Sequence, residues 1–286
     1  MQKNSRTFMT LFIKNAGNLV RIGGILAGLV WLYAPVMKRL VEDWLHMPDF
    51  SHGFLIPLIS AYIIYRKRDQ LSTLTPSGRW LGIGIAAVGV CLLILGRLAG
   101  EFFTMRISLL ILIGGIIISM LGEGFFRVLL LPLSYLVFMI PLPSILMDRI
   151  TFPMQLLASR MATASLYLIG IPVVREGNII HLANASLEVA EACSGIRSLV
   201  SLLALSVVFA HFSRGPAWKK GVLIASTFPV AILANMIRVS GTGALAHFYG
   251  NCAAQGFFHI FSGWMLFASA FLLLLGIEFV LSRIRR

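Results

Sequence analysis

Apolar positions in this chain come in long runs rather than in the interrupted stripes of a water-soluble helix. Bounded by charges or by Gly and Pro, they lie near 22–37, 50–65, 80–97, 106–122, 128–141, 196–212, 221–238 and 257–281. Most approach the about 17 to 25 residues that a helix needs to cross a hydrocarbon core. The pattern predicts an all-α polytopic membrane protein with about eight transmembrane helices, forming one integral membrane domain over residues 1–286 with no separate soluble domain. A ninth apolar stretch at 150–172 carries Pro153 near its start and Arg160 at its middle. A charge at the bilayer centre costs about 2.5–3.5 kcal/mol on insertion scales, so this stretch is expected to be a re-entrant or amphipathic helix at the outer face. In VVREGNIIHLANASLEVAEA, residues 173–192, the period changes to two, with Leu187 and Val189 set against Glu188 and Ala190. Turn signals at Gly177-Asn178 and Asn184-Ala185 complete the pattern of a small β-hairpin.

Composition excludes a soluble globular enzyme. Of 286 residues 58% are hydrophobic and 12% charged, against about 25% charged in ordinary soluble domains. The 24 Lys and Arg against 11 Asp and Glu leave a net charge of +13, which in a membrane protein serves topology rather than nucleic-acid binding. With eight crossings, Lys3, Arg6, Lys14, Arg21, Arg66, Lys67, Arg68, Arg79, Arg127, Arg214, Lys219, Lys220, Arg283, Arg285 and Arg286 share one side, which is 15 of the 24 basic residues. By the positive-inside rule that side is the cytoplasm, and both termini are cytoplasmic. The basic N-terminus shows no small-residue cleavage site and is expected to stay as an anchor. Three cysteines, Cys91, Cys193 and Cys252, show no metal-binding spacing, so no metal and no cofactor is expected.

On this topology three reactive groups reach the outer face. Cys193 stands just before Ser194-Gly195 and the run 196–212, where a helix N-terminus favours thiolate. Arg238 ends the run 221–238, with Asn235 three residues earlier on the same helical face. His259 opens the last run in GFFHIFSGW. A thiolate can attack a peptide carbonyl, an imidazole can pass the proton to the leaving amine, and a guanidinium can stabilise the oxyanion. The set points to acyl transfer through a thioester.

Several longer motifs resemble those of the exosortases, bacterial polytopic membrane enzymes. They are DFSHGFLIPLISAY at 49–62, PLP at 141–143, GIPVVREGN at 170–178, LEVAEACSGIRSL at 187–199, ANMIRVSGTG at 234–243 and GFFH at 256–259. The resemblance implies catalytic roles for Cys193, Arg238 and His259. It further implies a membrane cysteine protease or transpeptidase in a bacterial inner membrane, with its site at the periplasmic face. The partners implied are membrane-anchored exported proteins whose C-terminal signal consists of a Pro-Glu-Pro motif, one transmembrane helix and a basic tail, in a system linked to exopolysaccharide. Substrate-binding candidates are Arg197, one helical turn after Cys193 and an alternative oxyanion partner to Arg238, with His52, Glu191 and Asn235. His52 suits either a substrate groove or an interfacial anchor. Oligomeric state is left open.

Two other classes compete: a transporter or flippase for polysaccharide precursors, and a non-catalytic scaffold of an export system. A transporter predicts mid-membrane charges and inverted repeats, whereas the ionisable residues here gather at the ends of the runs and no repeat is visible. A scaffold predicts that Cys193 is dispensable.

Overall fold

A computed structural model describes residues 16–189, 196–213, 215–250 and 257–284, with side chains throughout these except at 16–19, 21–22, 48–49, 196–198 and 257–266. The chain divides into two units, Met1–Pro143 and Ser144–Arg286. In the first, α1 (Ala16–His46) runs into a 3-10 turn (Pro48–Phe54) and then α2 (Leu55–Arg66) and the short α3 (Arg68–Ser72). A helical hairpin follows, α4 (Trp80–Ala99) and α5 (Phe102–Met120), then α6 (Glu123–Tyr135) with a 3-10 turn at Leu136–Met139.

The α4–α5 hairpin is built on glycine. Gly82, Gly89 and Gly96, a heptad apart, are buried on α4, and a Cβ at Gly89 would lie 2.8 Å from the Leu112 backbone nitrogen of α5. Small residues let two apolar helices pack backbone to backbone, which is how helices gain dispersion energy where lipid removes the hydrophobic drive. Left-handed Gly100 (φ 65°) ends α4, and Glu101 caps α5 by accepting from the Phe103 and Thr104 amides at 3.0 and 2.6 Å. Tyr33 of α1 joins this core, its hydroxyl 2.8 Å from Ser108 Oγ.

Proline shapes α6. Pro132 has no N–H to give the Val128 carbonyl four residues back, and Lys67 Nζ donates to that carbonyl at 2.9 Å instead. Burial there holds the Lys67 ammonium below its usual pKa. At the start of α6, Glu123 accepts from both Arg79 and Arg127 at 2.8 Å.

The second unit holds α7 (Ser144–Leu168), β1 (Val173–Glu176), β2 (Ile179–Leu182), β3 (Ser186–Glu188), α8 (Ile196–Phe212), α9 (Ala217–Tyr249) and α10 (Phe257–Arg283). The strands form an antiparallel sheet in the order β1-β2-β3. The expected hairpin is therefore extended by a third strand, because both turn signals close tight turns. Gly177 sits at φ 60° in the first, and no non-glycine residue among those described has positive φ, the arrangement of a type II′ turn. Ile180, Leu182 and Val189 pack on Ala158, Ala162 and Leu166 of α7 and on Val239 and Ala246 of α9.

Eight spans are expected, and helix length and composition support four or five of them among the described residues. Among the described residues four helices are long and apolar enough to cross a membrane, α1, α4, α5 and α9, and a fifth if α6 with its turn is counted together with α7. The run at 50–65 is divided between a 3-10 turn and α2, and the run at 128–141 between α6 and a second turn. At about 1.5 Å per α-helical residue the 12 residues of α2 and 13 of α6 reach across a core about 30 Å thick only together with the 3-10 turns that adjoin them. The stretch at 150–172 begins within α7, a 25-residue helix with Pro153 inside it.

Candidate functional site

Two polar links set the directions of the last three helices. Ser213, just past the end of α8, donates to Glu278 Oε1 near the end of α10 at 3.0 Å. One turn back on α8 and two turns back on α10, the rings of Phe209 and Phe271 lie 5.5 Å apart. So α8 and α10 run parallel. Lys219, at the start of α9, donates to the Ile284 carbonyl at 2.7 Å, so α9 runs antiparallel to both. A shared cluster holds them, including Leu202 of α8, Val230 and Ala234 of α9, and Ala270 and Leu274 of α10.

This arrangement fixes where the candidate residues fall along the unit. From the Ser213–Glu278 link, α8 climbs about 24 Å to Arg197 and α10 about 28 Å to His259. From the Lys219–Ile284 link, α9 climbs about 28 Å to Arg238. The backbone positions of Arg197, Arg238 and His259 therefore lie toward the same end of the helices. The side chains of Arg197 and His259 fall outside the described residues, as do Cys193 and Glu191 altogether.

Asn235 and Arg238 are described in full. Asn235 belongs to the buried stripe of α9 and is 6% exposed, whereas Arg238 flanks that stripe and is half-buried. Between them α9 changes neighbours: Ala234 packs with α8 and α10, and Val239 packs with the sheet and α7. Arg238 is thus set where the three-helix cluster meets the sheet. Its planar guanidinium offers several donors at one place, the geometry suited to a carboxylate or a developing oxyanion.

The sheet adds a polar group that periodicity alone does not single out. On its outer face His181 Nδ1 is 2.9 Å from Ser186 Oγ, and His181 Nε2 is 3.6 Å from Glu176 Oε2. Strand register brings these three together. The segment leading toward Cys193 is tied to the first turn: the Val189 amide donates to the Asn178 carbonyl at 2.9 Å, and Asn178 Nδ2 lies 3.4 Å from the Val189 carbonyl.

His52 belongs to the first unit, half-buried in the Pro48–Phe54 turn. The turn is locked by Trp44, whose indole donates to the Met139 carbonyl at 2.8 Å. The same indole fills the space where Gly53 would carry a Cβ. In that unit Arg106, 4% exposed on α5, pairs with the half-buried Asp43 of α1, an ion pair that hydropathy averaging hides. Among the described residues no cluster of three or more His, Cys, Asp or Glu is arranged to hold a metal ion.

Long apolar helices with a small sheet and a cation at the meeting of helices and sheet define a polytopic membrane protein with a candidate site at one end of its second unit. The profile of the transmembrane exosortases matches residues 44–276, and the chain belongs to that family. No curated protein and no solved structure matched it.

Proposed function

We propose that the chain is a membrane cysteine transpeptidase that cleaves a C-terminal sorting signal from exported proteins. The Cys193 thiolate attacks the scissile carbonyl and Arg238 stabilises the oxyanion. As the C–N bond breaks, His259 delivers the proton to the leaving amine. The acyl group remains as a thioester on Cys193 until an amine or water displaces the thiolate. The observation that carries this reading is the shared end of α8, α9 and α10, toward which the backbone positions of Arg197, Arg238 and His259 fall. Arg197, His52, Glu191 and Asn235 are assigned to substrate binding.

The substrate signal in this reading is a Pro-Glu-Pro motif, a transmembrane helix and a basic tail. Such a substrate shares the orientation of an enzyme with cytoplasmic termini in a bacterial inner membrane, and presents its motif at the periplasmic face. Exopolysaccharide-associated sorting is the setting that family membership favours. Replacement of Cys193 by Ala, with a candidate substrate followed by gel shift, is the test. Unprocessed substrate accumulates if the reading holds, and wild-type processing returns the chain to the scaffold or transporter classes.

A further inference from the structure

Among the described residues β3 pairs with β2 alone, which leaves its other backbone edge open on the sheet. Its register decides which groups face that edge. Bonds from the Leu182 amide to the Ala185 carbonyl (2.7 Å) and from the Val189 amide to the Asn178 carbonyl (2.9 Å) mark two hydrogen-bonded pairs at the ends of the β2–β3 ladder. Hydrogen-bonded and non-bonded pairs alternate in an antiparallel ladder, so Ile180 and Leu187 form the bonded pair between them. Ser186 and Glu188 then turn their N–H and C=O groups away from β2, and both residues are exposed.

Natural sheets blunt such edges with short strands, with charged side chains, with Pro or with a bulge, and β3, short and ending in Glu188, still carries neither Pro nor bulge. Residues 186–188 are Ser-Leu-Glu, paired in unbroken register. The opposite edge, on β1, does carry Arg175, whose guanidinium folds onto the Gly177 carbonyl at 2.7 Å. An open edge of this kind is matched by one chemistry, another extended backbone that completes the ladder.

We infer that β3 is the docking edge for the substrate polypeptide, which pairs with the outward backbone groups of Ser186 and Glu188 as a fourth strand. The inference rests on the peptide-cleaving reading above and adds how the peptide is held. Cys193 follows Glu188 by five positions, so chain length alone keeps the two Cα atoms within about 18 Å. The inner face of the sheet is fixed to Val239, next to Arg238, so a strand on β3 extends a sheet already joined to the candidate oxyanion partner. Successive substrate residues then alternate between pairing with β3 and facing away.

The test uses the full chain in a lipid nanodisc and a synthetic peptide copied from the segment that precedes the C-terminal transmembrane helix of a processed exported protein. Methylating one peptide nitrogen at a time removes single donors while leaving the enzyme untouched. The expected result is a period of two along the peptide, with KM raised about tenfold at alternate residues and little changed between them. Ser186→Pro and Glu188→Pro, which delete the outward donors, raise KM in the same way. A methylation profile without that period overturns the edge, provided the unmodified peptide still forms an adduct on Cys193. Absence of any adduct with the unmodified peptide overturns the peptidase reading itself, and the docking edge with it.

Discussion

At the scale of single residues the proposed chemistry depends on geometry more than on charge. Arg238→Lys keeps the positive charge but loses the planar fork of donors, so processing is expected to fall about 10²–10³-fold, as for loss of an oxyanion donor. His259→Ala removes proton delivery and is expected to cost about 10²–10⁴-fold. Single-turnover rates on one substrate check both, and an Arg238→Lys protein working at the wild-type rate would remove Arg238 from the reaction. A second residue-scale prediction concerns Glu123. Hydrogen bonding and charge from Arg127, with the charge of Arg79, hold its carboxyl below the ordinary carboxylate range. Its stabilisation is therefore present at neutral pH and is lost as pH falls through that lowered pKa. Glu123→Gln should melt below the wild type at neutral pH, and the gap should close in acid. A gap that stays constant with pH would show that charge plays no part. Arg238 and Asn235 are legible in the sequence because polar side chains stand out within an apolar run. The contact of His181 with Ser186 and Glu176 is not, since it follows from strand register and not from spacing along one element.

At the scale of elements, the apolar runs locate the helices but not their ends. Averaged hydropathy adds up side chains and is blind to a change in backbone hydrogen bonding, so it runs through the 3-10 turns at Pro48–Phe54 and Leu136–Met139 without a break. The sheet reads more closely, because a two-residue period and two turn signals are local. Its third strand follows from the second of those turns. Packing between helices yields a further prediction. A methyl group at Gly89 meets the backbone of α5 near Leu112, which cannot turn aside, whereas a methyl at Gly243 meets the flexible end of Leu166 at 2.8 Å. Gly89→Ala should therefore destabilise the protein by about 1–3 kcal/mol through overpacking, and Gly243→Ala by less. Thermal unfolding of both variants in the same detergent checks the order, and equal losses would contradict the backbone contact at Gly89.

At the scale of the whole molecule, the positive-inside pattern predicts where each connection lies. Reporter fusions after Arg68, Lys220 and Arg286 are expected in the cytoplasm, and one at Gly177 on the outer side. An outer report from the Lys220 fusion would contradict the parity of crossings on which the single-face site depends. In the proposed chemistry Cys193 carries the cleaved polypeptide as a thioester. Mass spectrometry of the His259→Ala protein after incubation with a substrate whose processing is established tests it most directly, since slow turnover lets the adduct accumulate. A substrate fragment attached to the peptide containing Cys193, and missing when Cys193 is replaced by Ala, is the predicted result. Processing of that substrate by the Cys193→Ala protein at the wild-type rate, with no adduct in either variant, would contradict it.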